Sequence, residues 1–246
     1  MKFFIYLIFI NSILLSQLAD SLFQLGNRYY VNEQFDKAID EYEELAKKYE
    51  NEGLYLNLGN SYYKIGQLGN AIWAYEKGYL LSPRDNDINY NLNFVRDQIK
   101  DRIIPPEDFF IISIYRSIIN KLTLIDLITI LGLLILTISV LFFLQWKRTF
   151  SNKLYSTFNA ILLIVIFIIS GIMLDKYWDV SDREHGIVTS ISLDVRSSPI
   201  SRGENIVFVI HEGAKFEIIN NQQGWYEISL LDGKKGWIFS KEVRKI

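Results

Sequence analysis

The sequence predicts a multidomain membrane protein with three structural parts: an all-α repeat domain, a two-helix transmembrane hairpin and a small all-β barrel. Three observations support this prediction. Small and aromatic residues recur at a fixed spacing in the first part of the chain. Two long uncharged apolar runs follow, and short β-like runs separated by turn residues occupy the carboxyl-terminal part.

The two apolar runs, 127–144 and 154–174, carry no charged residue. A spanning helix needs about 20 apolar residues to cross a hydrocarbon core of about 30 Å. Neither run has the polar stripe of a helix packed on a soluble core. We therefore predict transmembrane helices at 122–146 and 154–176. A pair of buried core helices is the alternative, and it requires a soluble core large enough to enclose both.

The connection between the two runs, 147–153, is basic. It carries Lys147, Arg148 and Lys153 and no acidic residue. Short basic loops remain on the cytoplasmic side of a membrane. The chain is therefore expected to enter the membrane from outside, turn in the cytoplasm and return. Residues 1–19 combine a positive start, an apolar stretch and small residues, which is typical of a signal peptide, with an uncleaved N-terminal anchor as the alternative.

Residues 20–102 show helical apolar spacing and an internal repeat displaced by 33 residues. This pattern fits the tetratricopeptide (TPR) repeat, a pair of packed helices with a period of about 34 residues. Small residues are expected where the paired helices approach closely, with tyrosines beside them. A third helix, beginning at Asn86, is predicted to cap the stack. The recurring pairs are Gly26 and Gly59, Tyr29 and Tyr62, Ala38 and Ala71, and Tyr42 and Tyr75.

By resemblance to TPR domains, the first helix of each repeat would line a concave groove that holds a peptide or a partner helix. Asn27 and Asn60 resemble asparagines that bind peptide backbone or carboxylate in some TPR proteins. Phe23 stands where carboxylate-binding grooves favour lysine, which argues against a carboxylate clamp. The alternative is that several groove positions only pack within the domain. The predicted groove residues are Phe23, Asn27, Tyr30, Leu56, Asn60, Tyr63 and Lys64.

Residues 103–121 include Pro106, two acidic residues and an apolar run interrupted by Arg116. The run is too broken for a membrane span. We predict a linker followed by a short helix at the membrane surface. Packing of this helix against the TPR cap is the alternative.

Beyond residue 180 the pattern changes to six short β-like runs, which imply a small barrel over 180–246. The segment Leu193–Pro199 and the pairs Gly224-Trp225 and Gly236-Trp237 resemble the bacterial SH3-like domain. Aromatic side chains of the barrel are predicted to form a face for a glycan or a peptide, because they bury much area at low entropic cost. Core packing is the alternative for at least one tryptophan. The face would consist of Trp225, Tyr226, Trp237 and Phe239.

The composition argues against several classes of function. The formal net charge is -2, so the basic footprint of a nucleic-acid-binding protein is missing. The sequence has no cysteine and two histidines, which leaves little with which to build a thiolate or imidazole metal site. It contains no recognisable catalytic arrangement and no glycine-rich phosphate loop. We therefore expect a protein that is not an enzyme and uses no cofactor or metal.

The order of signal segment, short TPR stack, membrane hairpin and SH3-like barrel resembles the aerotolerance-operon (Bat) proteins, specifically the BatE type. The resemblance implies a scaffold in the bacterial inner membrane, with the TPR and SH3-like domains on the periplasmic side. It also implies partners among membrane proteins with von Willebrand-type domains and other TPR proteins of the operon, beside a MoxR-type ATPase. The alternative function is a cell-wall sensor in which the barrel binds peptidoglycan.

Overall fold

The chain folds into two compact units, and the hairpin unit is inserted in the sequence of the other. The computed structural model describes residues 20–103, 106–147, 151–182, 184–200 and 205–246. One unit combines the chain up to Pro106 with Glu184–Ile246, and the second is Glu107–Arg183. The predicted signal segment 1–19 and residues 148–150 of the predicted basic loop lie outside the described residues.

The first unit begins with five helices in the order that the repeat pattern predicts. Helix α1 covers residues 20–31 of the described chain. Two of the later helices have a polar N-cap residue. The Asn51 side chain accepts a hydrogen bond from Leu54 N at the start of the third helix. The Asp85 side chain accepts from Asp87 N and Ile88 N at the start of the fifth. Helix α5 buries Ile88, Leu92 and Val95, as expected of a cap. The four helices after α1 are α2 Phe35–Ala46, α3 Glu52–Lys64, α4 Leu68–Leu81 and α5 Asn86–Arg96.

The recurring glycines let the two helices of each repeat approach closely. A Cβ atom built on Gly59 would lie 2.5 Å from Tyr75 Cε1, and one built on Gly26 would lie 2.5 Å from Tyr42 Cε1. Both tyrosine rings are almost fully buried. Burial raises the pKa of Tyr42 to about 12 and raises the pKa of Tyr75 as well. The repeat is therefore held by a ring inserted into the space that each glycine leaves.

The same unit continues as a barrel of short antiparallel strands. The described strands form one seven-stranded sheet in the order β3-β2-β6-β5-β4-β1-β7. Its core includes Val195, Phe216, Ile228 and Ile238, which alternate with outward residues along their strands. The strands are β1 Glu184–Val188, β2 Ser192–Arg196, β3 Ile206–His211, β4 Lys215–Gln222, β5 Trp225–Leu230, β6 Lys235–Phe239 and β7 Val243–Lys245.

The barrel differs from the prediction in two places. Strand β7, which follows a short 3-10 turn at Ser240–Glu242, was not expected because three residues are too few for a periodic pattern. The predicted start at residue 180 is also displaced, because helix α8 (Asn152–Asp182) extends past the predicted end of the second span. The six predicted strands correspond to β1 to β6.

The second unit contains the apolar helices. Helices α7 (Leu124–Trp146) and α8 are long and apolar enough to cross a membrane, and almost none of the residues in their most apolar stretches is buried. Exposure of this kind suits lipid-facing helices and not the core of a soluble protein. Helix α7 begins at a capping box between Thr123 and Asp126. The short predicted helix of the linker is α6 (Phe110–Ile119), joined to α8 by Tyr115 OH, which donates to Asp175 Oδ2 over 2.7 Å.

Replacing Gly59 with alanine tests the close approach of α3 and α4. We expect Gly59→Ala to lower the free energy of unfolding relative to a matched control by about 1–3 kcal/mol, because the new methyl group overlaps the buried Tyr75 ring. The control is Gly132→Ala in α7, where an added Cβ meets nothing within 4 Å. Denaturant unfolding of the detergent-solubilised chain measures both. Equal stability of the two variants would contradict this account of the repeat.

Candidate functional site

The first helices of the repeats, α1, α3 and α5, are joined into one face by asparagine hydrogen bonds. Asn27 Oδ1 accepts from Tyr42 OH at 2.6 Å and from Asn57 Nδ2 at 3.0 Å. One repeat later, Asn60 Oδ1 accepts from Tyr75 OH at 2.7 Å and from Asn91 Nδ2 at 3.0 Å. We call this surface of α1, α3 and α5 the groove face. Each of the two predicted groove asparagines thus has an oxygen that already accepts two hydrogen bonds within the repeats.

The other predicted groove residues differ in how much of each side chain is exposed to solvent. Phe23 and Tyr30 are half-buried, with the Phe23 ring 6.0 Å from Tyr42 and the Tyr30 ring 5.4 Å from Phe35. Leu56 is also half-buried and packs against the helical core. Lys64 is exposed at the end of α3. These side chains share the first helices but form no single open pocket among the described residues.

Three aromatic side chains cluster at the α5 end of the groove face. The Tyr63 and Phe94 rings meet edge to face at 5.7 Å, and the Phe94 and Tyr90 rings stack at 6.1 Å. Tyr90 is 69% exposed and Phe94 46% exposed. We call Tyr63, Tyr90 and Phe94 the aromatic end. Large apolar side chains exposed together mark an interaction surface more often than a passive one.

Tyr90 and Phe94 are not among the residues predicted from sequence, although the repeat spacing places Phe94 at a groove position. Asn91 takes the place of Asn57 at a displacement of 34 residues, so Phe94 takes the place of Asn60. In the earlier repeats that asparagine accepts from a tyrosine of the second helix. The cap α5 has no second helix following it in its unit, so an asparagine there would have no such tyrosine to bond.

The barrel packs mainly against the second helices, α2 and α4, and its Arg244 also reaches Tyr62 OH of α3 at 3.2 Å. Trp73 Nε1 on α4 donates to the backbone oxygen of Lys245 at 2.7 Å. The Gly69 N–H donates to Glu212 Oε1 at 2.8 Å, and a Cβ atom on Gly69 would lie 2.3 Å from Val188 O. No side chain fits at position 69 without separating α4 from the barrel. We call this contact between the helices and the barrel the seam.

Arg244 of strand β7 is the most connected residue of the seam. Its guanidinium donates to both carboxylate oxygens of Glu43, at 2.7 and 3.0 Å, and lies 3.3 Å from the centre of the Trp73 ring. Tyr62 OH also donates to Glu43 at 2.7 Å. Burial, followed by the hydrogen bond to Glu43, raises the pKa of Tyr62. A bidentate arginine pair with a stacked aromatic ring fixes both distance and orientation.

A buried carboxylate lies at the centre of the seam. Glu76 on α4 is 2% exposed, and it accepts from Arg96 of α5 and from Lys215 Nζ of β4, the latter at 2.9 Å. Burial opposes ionisation of Glu76, but attraction to Lys215 and Arg96 outweighs it and lowers the pKa of this carboxyl. The ion pair is therefore intact at neutral pH and joins three elements. Asp101 adds a further link, because its carboxylate accepts from the His211 backbone N–H at 2.6 Å.

The aromatic residues predicted for the barrel face divide between its two sides. Trp225 and Phe239 are paired across β5 and β6, and their rings stack at 3.8 Å. Trp237, two residues before Phe239, points to the same outer side, opposite Glu227. Tyr226 points to the other side and packs on the barrel core. The outer side therefore carries three of the four predicted aromatics, of which Trp225 is 6% exposed.

The part of the chain that the structure describes brings no three His, Asp or Glu side chains together as metal ligands. The ion pairs of the seam join elements of the fold: Glu76 contacts Arg96 and Lys215, and Glu43 contacts Arg244.

Comparison with known proteins supports the assignment of the barrel. The family described as Bacterial SH3 domain matches residues 191–244, which run from just before β2 into β7. The carboxyl-terminal sheet is therefore similar to the bacterial SH3 domain. No curated protein matches the chain. A solved structure described as the first TPR of Spaghetti (RPAP3) bound to HSP90 peptide SRMEEVD is 19% identical, covering 34% of this chain and 94% of that chain, with a TM-score of 0.23.

The helical part of the fold class rests on the repeated contacts within this chain. The two glycine and tyrosine pairs and the two asparagine bridges recur at the repeat spacing. The predicted class is thus confirmed: TPR-like helices, two helices capable of spanning a membrane, and a bacterial SH3 barrel.

A double-mutant cycle measures the strength of the seam. We expect Arg244→Met and Glu43→Gln to show a coupling free energy of about 1–2 kcal/mol in unfolding, because each removes the same bidentate pair. Chemical unfolding of the detergent-solubilised chain supplies the four stabilities. Arg244→Met with Glu44→Gln is the matched control, since the exposed Glu44 pairs with Lys47 and should couple by less than about 0.5 kcal/mol. Equal coupling for Glu43 and Glu44 would contradict the assigned contact.

Proposed function

We propose that the chain is a non-enzymatic, membrane-anchored adaptor that binds a protein partner on the groove face. The main support for this proposal is that the barrel and the aromatic end lie on different helices of the repeats. The barrel occupies the second helices through the seam, while the first helices keep the aromatic end exposed. A surface of stacked and edge-on rings supplies large contact area from side chains with few rotatable bonds.

The composition of the groove face favours an apolar partner segment over an acidic one. The aromatic end carries no charge, and Lys64 is the one cation among the predicted groove residues. Asn27 and Asn60 have oxygens committed to the repeats, so their contribution to the partner would come from the remaining amide groups. The partner is therefore expected to present an aromatic or aliphatic side chain to Tyr63, Tyr90 and Phe94.

The setting of this adaptor is the extracytoplasmic side of a bacterial membrane. Two helices capable of spanning a membrane and a bacterial SH3 domain support a membrane-anchored protein. The basic connection between the spans supports an arrangement in which both the TPR-like helices and the barrel lie outside the cytoplasm. The resemblance to Bat proteins supports partners with von Willebrand-type domains and other TPR proteins of the same operon.

Photocrosslinking tests the groove face directly. A photoreactive amino acid at position 90 is expected to yield crosslinks to an envelope protein in intact cells, and Tyr63→Ala with Phe94→Ala should reduce their yield at least fivefold by removing the flanking rings. The matched control places the same amino acid at position 80, because Leu80 is 50% exposed on α4 and lies off the groove face. Mass spectrometry identifies the adducts. Crosslinks of the same identity and yield from both positions would overturn the proposal.

The cell-wall alternative uses the other side of the molecule, so it can be separated from the groove. Its supporting observation is the outer side of the barrel, where Trp237 and Phe239 are partly exposed. Retention of the intact protein on purified wall material would favour it. Tyr63→Ala with Phe94→Ala should leave such retention unchanged.

Reporter fusions test the orientation. A reporter active only outside the cytoplasm is expected to be active when fused after residue 100 and when fused to the carboxyl end. The physical reason is that both positions flank a hairpin whose basic loop is retained in the cytoplasm. The control is the same reporter inserted in loop 147–153, which should be inactive. Opposite activities at the first two positions, or inactivity at both in well-expressed fusions, would contradict the orientation.

A further inference from the structure

A cleft of about 450 Å³ lies at the seam, and none of the predicted site residues lines it. Its walls come from α4, from the chain just after α5 and from the barrel. Clefts of about 300–1,000 Å³ at domain junctions, lined by apolar side chains with a few convergent polar groups, are the usual form of small-molecule sites. This cleft has both kinds of lining, and we call it the seam cleft.

The apolar wall of the seam cleft is built from branched aliphatic side chains. Ile72 of α4 is 1% exposed and forms part of the helical core, and Leu231, in the turn after β5, is 41% exposed. Ile99 and Ile103 complete this wall from the segment after α5. A ligand seated here would cover apolar surface that the fold leaves open on one side.

The polar lining carries more positive than negative charge. Arg96, Arg102 and Lys215 line the cleft, and Asp101 is the acidic residue among the lining side chains. The Asp101 carboxylate is held by His211, whose backbone N–H donates over 2.6 Å and whose Nδ1 lies 3.0 Å away. The acid is therefore turned toward the barrel backbone, while the three cations remain in the lining.

The seam ion pairs leave these cations able to bind a further anion. Arg96 and Lys215 contact Glu76, but an arginine has five N–H donors and a lysine three, so one carboxylate does not use them all. Arg102 Nη2 donates to the backbone oxygen of Asp97 at 2.7 Å and lies 3.5 Å from the Asp97 carboxylate. An exposed ion pair of this kind contributes little stability, and the other N–H groups of the guanidinium can still bind a carboxylate. Its side chain is 64% exposed, against 41% for Arg96 and 29% for Lys215, so Arg102 is the most accessible of the three cations.

From this geometry we propose that the seam cleft binds a small organic carboxylate with an aliphatic body. The carboxylate pairs with Arg102 and Arg96, because a planar guanidinium matches a carboxylate with two parallel hydrogen bonds. The aliphatic body lies on the accessible side chains of Ile99, Ile103 and Leu231. The same chemistry is found in a free amino-acid derivative and in the carboxyl terminus of a peptide. This site is independent of the groove face and uses none of its residues.

The first test compares two probes that differ only in charge. N-acetyl-leucine and N-acetyl-leucine amide share one aliphatic body, and titration calorimetry of the full chain in detergent measures each. We expect the acid to bind saturably with a Kd of about 1 mM, as its size allows, and at least tenfold more tightly than the amide. Equal affinities, or no saturable binding of the acid, would overturn the proposal. Inorganic phosphate competing as well as the acid would assign the site to phosphate and also overturn it.

Two variants then locate the binding. Arg102→Gln is expected to weaken the acid about tenfold and leave the amide unchanged, whereas the control Arg28→Gln, an exposed arginine on α1, should change neither. Leu231→Trp is expected to fill the cleft and abolish binding while the unfolding temperature stays the same, since Leu231 lies in an exposed turn outside the seam ion pairs. Undiminished binding of the acid by either variant would show that it binds elsewhere. Failure here would leave the photocrosslinking result for the groove face unaffected.

Discussion

The burial of Glu76 is the constraint on which the arrangement of the larger unit depends. Removing an ionised carboxylate from water costs several kcal/mol unless other charges and hydrogen bonds compensate for it. Here the compensation comes from two directions, from Arg96 in the helical domain and from Lys215 in the barrel. Without the barrel, Glu76 would lose both a cation and the cover that keeps water away. The helices and the barrel are therefore one folded structure, with Arg244 and Trp73 reinforcing the same contact.

This single structure has a consequence for the membrane segments. The helices precede the hairpin in sequence and the barrel follows it, yet both belong to one unit. Two parts of one folded unit are expected to lie in the same compartment. The two apolar helices α7 and α8 are long enough to cross a membrane, and two crossings would return the chain to the side from which it entered. The seam is therefore consistent with the proposed orientation, in which both parts of the larger unit lie on one side of the membrane.

What the sequence could predict depends on how far apart the interacting residues lie. Gly59 and Tyr75 are close in sequence and recur, so the repeat was predictable, and the alternation of β1 to β6 was predictable for the same local reason. The seam could not be predicted in this way. In the sequence, Glu76 looks like an ordinary acidic residue on a helix surface, and its partner Lys215 lies 139 residues away. The groove residues remain a prediction: Tyr63 contacts the exposed ring of Phe94, whereas the oxygens of Asn27 and Asn60 accept hydrogen bonds within the repeats. Trp225 and Tyr226 are neighbours in strand β5, so their side chains point to opposite faces of the sheet. The prediction of one aromatic face from composition alone did not take this alternation into account.

Helix α5 joins the groove face and the seam cleft, the two surfaces for which binding is proposed. With eleven residues it is too short to be stable alone in water, so its position depends on tertiary contacts. One side buries Ile88, Leu92 and Val95, and another presents Tyr90 and Phe94 on the groove face. Its last residue, Arg96, reaches Glu76 and lines the seam cleft. The ion pair that attaches the barrel to the helices therefore also fixes the helix that carries the aromatic end, so loss of the seam would disturb both surfaces at once.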